Sequence, residues 1–331
     1  MKKLIVLSVT IVLMFSSLVS GQTEEKPAGP SIKFGGYTQM TMIKSETNKA
    51  LVFGFERVRL GARGTLNDRM DYRLLVDFKN TDKDLDNDGD TPGIIKFAYL
   101  DLKPNDQLRL RVGKFKTPLG MEWNTPGSQL DIVKRGLAQS LIFHFDAGAM
   151  LYADKLGSQK FGFAAGAFNA GPNKANDVGD PAAGQDYTLA ARVSLDPDKR
   201  VHLEAFGGSA LTSVDSQETV VVLGAGARFK VRDKLQLKAE YVNRDDAQNG
   251  GSDGTAYYGQ AGYRVHPMLE PLLKYENLDV SDNNKDQANF TFGLNIFLNP
   301  AKQNESKIQF NYVLSDLDGG DAFQVLVQGA F

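Results

Sequence analysis

The stretch Gln107–Val112, QLRLRV, alternates strictly between polar and apolar residues. Successive side chains of an extended strand point to opposite faces, so Leu108, Leu110 and Val112 share one face and the polar side chains share the other. The stretch therefore predicts a β-strand with one face toward an apolar environment and the other toward a polar one.

The same alternation recurs from Ile32 to Phe331. It predicts sixteen strands, at residues 32–44, 52–65, 70–80, 94–103, 107–115, 144–154, 159–170, 186–195, 200–210, 218–230, 234–245, 254–265, 268–280, 287–298, 306–316 and 321–331. Short turns alternate along the chain with longer loops rich in Asp, Asn and Gly. An even strand count with short turns at one end is typical of outer-membrane barrels, so we predict an all-β, transmembrane, antiparallel up-and-down barrel of about 16 strands.

Composition narrows the possible functions. The chain has 331 residues, no cysteine and three histidines, which excludes disulfide scaffolds, thiolate zinc sites and Cys nucleophiles. No P-loop, dinucleotide fingerprint or concentrated basic patch occurs, so neither nucleotide nor nucleic-acid binding is indicated. The three histidines have no Ser beside them, and we predict no enzymatic activity.

The N-terminus predicts export. Lys2 and Lys3 precede an apolar run, Leu4–Leu13, and small residues follow it up to Gly21. This pattern is typical of a cleaved Sec-type signal peptide at residues 1–21. A polar, flexible tail is then expected at 22–31 and the barrel domain at 32–331, in the outer membrane of a Gram-negative-type bacterium.

The C-terminus agrees with this location. Residues 323–331 alternate as a strand and finish on an aromatic residue, Phe331. A terminal amphipathic strand with an aromatic last residue is similar to the assembly signal of outer-membrane barrels, and we assign that role to Phe331.

Two segments resemble a known family. Phe55–Gly64 reads FERVRLGARG, and Gly113–Trp123 reads GKFKTPLGMEW and continues to Arg135. They are similar to the phosphate-selective porins O and P. The resemblance implies a homotrimer of sixteen-stranded barrels, a third extracellular loop folded into the pore, and a preference for anions. Arg135 matches an Arg that commonly ends the family's loop motif, while Lys134 stands where that motif is usually acidic.

The loop at residues 116–143 is too long for a simple connection. It holds the single tryptophan, Trp123, and Ser128 is placed to cap a helix. Apolar residues then recur at helical spacing: Leu130, Val133, Leu137 and Leu141. We predict a helix whose apolar face packs on the barrel wall while Asp131, Lys134, Arg135 and Gln139 face the pore. A surface loop with a solvated charged face is the alternative.

The polar faces of the strands are mostly basic. Assigning these faces inward gives fifteen basic side chains: Arg57, Arg59, Arg63, Arg73, Lys79, Arg109, Arg111, Arg192, Arg228, Lys230, Lys234, Lys238, Arg264, Lys274 and Lys307. The acidic ones are Asp71, Asp77, Asp101, Asp146, Glu204, Glu240 and Glu276. Cross-strand pairing is expected to neutralise about half of the basic set. The arginines of strands two, three and five, with Lys134 and Arg135, are the predicted anion-selective set.

One loop resembles part of a calcium site. Asp84, Asp86 and Asp88 precede Gly89 with the spacing of the first half of an EF-hand loop, but position twelve is Ile95, which has no carboxylate. A Ca²⁺ site and a flexible acidic loop that contacts lipopolysaccharide both fit this sequence. No other cofactor is indicated.

Three functions fit a barrel of this kind. The best supported is an outer-membrane porin, a water-filled channel for passive diffusion of small, preferentially anionic solutes such as phosphate. The others are a structural or adhesive barrel without significant conductance and an outer-membrane enzyme. The expected partners are small anions, outer-membrane lipid, lipopolysaccharide and two further copies of the chain.

Overall fold

The computed structural model describes residues 29–47, 49–79, 94–156, 160–169, 185–212, 220–246, 253–281 and 286–331. These residues form one closed antiparallel barrel in which each strand pairs with the next and β1 pairs with β16. The strands are β1 (Lys33–Ser45), β2 (Val52–Asn67), β3 (Met70–Asp77), β4 (Ile95–Leu102), β5 (Arg109–Lys116), β6 (Phe145–Leu156), β7 (Phe161–Phe168), β8 (Gln185–Asp198), β9 (Val201–Thr212), β10 (Val220–Val231), β11 (Leu235–Asp246), β12 (Gly254–Tyr263), β13 (Leu269–Val280), β14 (Gln287–Phe297), β15 (Ser306–Ser315) and β16 (Ala322–Ala330). The prediction of sixteen antiparallel strands is confirmed.

Residue Phe331 completes the seam of the barrel. The Gly36 and Phe331 backbones exchange two N–H···O hydrogen bonds, of 3.2 and 3.1 Å. A Cβ at position 36 would overlap the carbonyl oxygen of Arg59 and touch the Phe331 ring. Glycine at this position therefore lets the last strand close onto the first.

The two faces of the wall differ as the alternation predicts. Leu74 and Leu237 are exposed on the outer face, while Asp101 and Glu240 are buried on the inner face. In β1, whose facing the sequence leaves ambiguous, Gln39 is 1% exposed and therefore points inward. A barrel of 16–18 strands is too wide for its own side chains to fill, so the interior has room for further chain and water.

Strand β2 departs from regular alternation near Glu56. The pairing of β1 with β2 shifts at Gln39 and Met40, which lie opposite Arg57 and Phe55. Glu56 is the extra residue of this β-bulge. Its carboxylate lies 3.4 Å from Arg57 Nη2, so two consecutive residues, Glu56 and Arg57, face the interior.

The prediction of a helix from Ser128 is wrong. Between β5 and β6 the structure has a short helix, α1 (Met121–Asn124), and two 3₁₀ turns, Gly127–Gln129 and Leu137–Leu141. The residues between the two turns are irregular because side chains of the barrel wall bond their backbone. For example, Leu130 O accepts hydrogen bonds from two wall side chains, and Val133 N donates to a third. Leu130, Val133 and Leu141 are nevertheless buried, as expected, and Leu137 is partly buried.

Several predicted features lie outside the described residues: the signal peptide at 1–21, residues 22–28 of the tail, and Asp84, Asp86 and Asp88. None of the helices in the described part is long and apolar enough to cross a membrane. In the same part, no group of three or more His, Asp or Glu side chains is placed to hold a metal ion.

Candidate functional site

Residues 117–144, here called the inner loop, run through the interior of the barrel. On one side, Gln39 Nε2 of β1 donates to Gly127 O at 3.1 Å, and Gln328 Nε2 of β16 donates to Ser128 O at 3.1 Å. On β15, Lys307 Nζ donates to Leu130 O at 2.6 Å. All three donors are nearly inaccessible to solvent. These contacts with inward-facing side chains place the loop inside the barrel.

Carboxylates of β11 and β13 hold the start and end of the inner loop. Glu240 accepts hydrogen bonds from the backbone N–H groups of Met121 at 2.6 Å and Glu122 at 3.0 Å. Glu276 accepts one from Leu137 N at 3.1 Å. The first N–H groups of α1 have no partner within the helix, so Glu240 satisfies donors that would otherwise be unpaired.

A buried ion cluster ties the same regions together. Lys274 of β13 is fully buried, and its Nζ lies 3.0 Å from Glu122 and 3.0 Å from Glu276. The second oxygen of Glu122 accepts from Gly136 N at 2.6 Å. Buried charges persist only where they are paired, so this cluster depends on the loop being docked.

Asp131 forms a third attachment. Its carboxylate pairs with Lys238 of β11 and accepts from Gln260 Nε2 of β12 at 2.7 Å. Burial favours the neutral acid, but the charge of Lys238 and the hydrogen bonds from Lys238 and Gln260 outweigh it and lower the pKa of Asp131. The attachment is therefore charged at neutral pH.

Trp123 is the centre of an aromatic and cationic group on the loop. Its indole stacks on the His144 ring with 4.3 Å between centroids, and the Arg135 guanidinium lies 5.2 Å from the indole centroid. Arg135 also donates to the carbonyl oxygens of Glu122 and Thr125. Burial, together with the charge of Arg57, lowers the pKa of Arg135 to about 10.

The two predicted loop cations therefore differ in role. Arg135 is tied to the backbone of its own loop, which makes it a structural residue. Lys134 is exposed beside the fully buried Val133.

Arg57, Arg59 and Arg111 are neutralised by carboxylates. Arg57 is 6% exposed; it donates to Gln39 at 2.7 Å and pairs with Glu56. Arg59 Nε lies 2.7 Å from Asp77. Arg111 forms a two-point pair with Asp101 at 2.8 Å and 2.8 Å. The predicted role of these three as free anion contacts is weakened by these pairs.

Arg109 lies apart from the other arginines. Its guanidinium donates to carbonyl oxygens of the β4–β5 turn, including Asn105 O at 3.1 Å. It therefore closes a turn at the end of the barrel and lies away from the inner loop.

Arg63 and Arg73 form the remaining pair. They lie directly opposite each other on β2 and β3. Neither forms an ion pair with any residue in the described ranges, and the Arg73 guanidinium lies over the Phe97 ring at 4.4 Å. Among the predicted strand arginines, these two are both free of carboxylates and close together.

Two cavities lie beside the inner loop. The first, of about 670 Å³, is here called the cationic cavity. The second, of about 500 Å³, is here called the mixed cavity. Asn124, Pro126, Asp154 and Arg192 line both, so the two spaces are adjacent.

Their charges differ. The lining of the cationic cavity includes one carboxylate side chain, Asp154, and seven basic ones: Lys33, Arg59, Arg63, Arg73, Arg111, Lys116 and Arg192. The lining of the mixed cavity includes the carboxylates Glu122, Asp131, Asp154, Asp196, Glu204 and Glu270 and a similar number of basic side chains.

The interior acids beyond the predicted set include Glu56, Glu122 and Glu270. Glu56 is turned inward by the β-bulge, for which the sequence carries no signal. Glu122 lies in the loop, where alternation gives no guidance. Glu270 has the same parity on β13 as Lys274 and Glu276, and it pairs with Arg264 at 2.6 Å, so alternation alone was sufficient to find it.

Comparison with known sequences agrees with this architecture. The family model of the phosphate-selective porins O and P matches residues 33–195, which include β1–β7, the inner loop and most of β8. The first half of the barrel is thus similar to the phosphate-selective porins O and P. The family match also indicates a channel of the outer membrane rather than an enzyme. No curated protein matches the sequence of this porin.

Solved structures share its fold at low sequence identity. An anion-selective porin from Comamonas acidovorans superposes with a TM-score of 0.64 at 14% identity, covering 91% of this porin and 100% of that chain. OmpF of Salmonella typhi in complex with daunomycin gives 0.67 at 12% identity, covering 92% and 98%. The trimer form of OmpT from Vibrio cholerae gives 0.62 at 14%, covering 92% and 100%. The barrel of this porin is therefore the fold of outer-membrane porins.

Proposed function

We propose that this porin forms a passive outer-membrane channel that prefers small anions, phosphate among them. The observation that carries the proposal is the cationic cavity, whose lining has seven basic side chains against one carboxylate side chain. Arg63 and Arg73 carry most of this role, because the neighbouring Arg59 and Arg111 are already paired.

The expected preference is modest. Two unit charges 4 Å apart interact by about 1 kcal/mol in bulk water and about 4 kcal/mol at an effective dielectric constant of 20. Salt screens the exposed charges over about 10 Å at 0.1 M. A passing anion then gains enough free energy for a several-fold preference over cations and too little to be held.

The inner loop narrows the channel in this proposal. The loop crosses the interior, and its Lys134 side chain is exposed. Lys134 therefore acts on passing ions directly, whereas Arg135 acts through the shape of the loop.

The proposal also covers the export, orientation and assembly of the protein. The signal peptide at 1–21 directs export, the long loops face the outside and contact lipopolysaccharide, and three copies assemble through their outer faces. The trimer form of the structurally similar OmpT supports the last point.

Zero-current potentials of the refolded protein in planar bilayers with a KCl gradient test the proposal. We expect chloride to be preferred over potassium, and Lys134→Glu to reduce the preference, the more so at low salt. Lys199→Glu is the control, because Lys199 is exposed in the short β8–β9 turn and undergoes the same change of charge.

A preference for potassium in the unaltered protein contradicts the anion proposal. A barrel that inserts but does not conduct supports the structural or adhesive alternative.

A further inference from the structure

Arg63 and Arg73 are an unusual pair for a β-sheet. They occupy directly opposed positions on β2 and β3. Like charges at such positions destabilise a sheet unless counter-ions neutralise them. Within the described residues neither arginine has a carboxylate partner. By contrast, Arg59, four residues before Arg63 on β2, is paired with Asp77. The pair is placed for an anion that comes from outside the chain.

Aromatic rings lie on the Arg73 side of this pair. The Arg73 guanidinium lies over Phe97 at 4.4 Å, and Phe97 meets Tyr99 edge-to-face at 5.9 Å. Tyr99 in turn carries the Arg111 guanidinium at 3.8 Å. All of these residues line the cationic cavity. Stacking fixes the plane of a guanidinium, which leaves its N–H edge free to bind a planar carboxylate at two points.

We propose that the cationic cavity binds aromatic carboxylates in preference to aliphatic carboxylates or inorganic anions of the same charge. This inference rests on the proposed anion channel and names its preferred solute class. The carboxylate of the solute binds Arg63 and Arg73, and its ring lies against the wall formed by Phe97 and Tyr99.

The ring contributes selectivity beyond charge. Aromatic pairs in suitable geometry add about 0.5–1.5 kcal/mol beyond the area that they bury, which corresponds to about two- to tenfold in affinity. Charge-assisted hydrogen bonds to two guanidinium groups contribute about tenfold or more. Removing the arginines and removing the ring should therefore have separable effects.

Equilibrium dialysis of labelled benzoate against the refolded barrel in detergent, with empty micelles subtracted, tests the proposal. Cyclohexanecarboxylate is the matched probe, since it has the same charge and similar size without an aromatic ring. We expect benzoate to bind two- to tenfold more tightly than cyclohexanecarboxylate. The double variant Arg63→Gln and Arg73→Gln should lose about tenfold or more for both probes.

Two further variants complete the design. Phe97→Leu keeps an apolar side chain, and it should abolish the difference between the probes while retaining binding of both. Arg228→Gln is the control for charge, because Arg228 lines only the mixed cavity and forms no ion pair with a described residue. Unchanged Trp123 fluorescence verifies that each variant keeps its loop docked.

Equal binding of the two probes, or equal losses in the double variant and in Arg228→Gln, overturns the inference. Chloride selectivity measured on the same preparations separates this result from the broader proposal. An anion-selective channel without a benzoate preference contradicts only the solute class, whereas a cation-selective one contradicts the proposed function itself.

Discussion

The cationic cavity and the mixed cavity are lined by similar numbers of basic side chains, yet only one of them is electropositive. In the mixed cavity Lys238 is paired with Asp131, and Arg264 with Glu270. In the cationic cavity Arg63 and Arg73 have no carboxylate partner among the described residues. The field in a pore therefore depends on which charges are left unpaired, and a count of basic residues does not report it.

The two sides differ because the inner loop is attached to one of them through carboxylates. Glu122 and Asp131 of the loop, and Glu240 and Glu276 of the wall, all lie on the side of β11–β13. On this side, the carboxylates that hold the loop also neutralise the lysines of the wall. The opposite side, formed by β2–β5, keeps arginines that are available to solutes.

The attached side should be the more sensitive to mutation. Lys274→Met leaves Glu122 and Glu276 without their shared cation, and loss of one partner from a buried ion pair costs about 3–5 kcal/mol. The free energy of unfolding, measured in urea by the fluorescence of the single tryptophan, Trp123, should fall by that amount.

Lys234→Met is the control for Lys274→Met, since Lys234 is exposed in the β10–β11 turn and should change stability by no more than about 0.5 kcal/mol. Equal stability of the two variants would show that the cluster does not hold the loop.

The outer faces of the two sides should behave alike. Leu74→Arg on the cationic side and Leu237→Arg on the attached side each place a charge on an exposed apolar position of the wall. Each should cost about 2–4 kcal/mol if it lies near the bilayer midplane. Refolding into lipid vesicles at increasing urea measures both, and a position that tolerates Arg without loss does not face lipid.

The effect of a mutation on ion selectivity should differ between the two cavities. Arg73→Gln removes an unpaired charge from the cationic cavity, and we expect the zero-current potential to move toward cation selectivity, corresponding to about 1 kcal/mol or less of lost preference for anions. Arg228→Gln makes the same change in the mixed cavity and should move it less. If both variants shift the potential equally, net charge alone controls selectivity.

The smallest effect concerns His144 at the junction of the loop and β6. Burial, reinforced by the charges of Lys116, Arg135 and Arg244, lowers the pKa of His144 below its ordinary value of 6.5. The imidazole is then neutral in the folded protein at pH 6.5 and becomes protonated only at lower pH, so folding stability falls as the pH drops from 6.5 toward the lowered pKa.

Because His144 stacks on Trp123, protonation of the imidazole should quench the fluorescence of the indole. We expect the quenching to begin below pH 6.5 and to be absent in His144→Phe. Quenching centred above pH 6.5 would contradict the lowered pKa.

The strands were predictable because the two faces of each strand meet different environments. Residues such as Leu74 and Asp77 report the outer and inner faces locally, so each strand can be found from its own sequence. The predicted ends differ from those observed by a few residues, as in β5, which begins at Arg109 rather than at Gln107.

The interior of the barrel was less predictable, because its contacts join distant parts of the chain. Leu130 and Val133 have helical spacing, but their backbone groups bond Lys307, Gln309 and Asn311 instead of each other. Likewise, the sequence identifies Arg59 as inward-facing without showing that Asp77 neutralises it.

The anchoring of the inner loop also constrains the order of folding. Ser128 O bonds the side chain of Gln328, 200 residues later, and Leu130 O bonds that of Lys307, 177 residues later. Contacts between such distant residues form late, because a long segment of chain must first be ordered. These contacts of the loop therefore form only once β15 and β16 are in place. The walls of the narrow passage are complete only when the last two strands have joined the barrel.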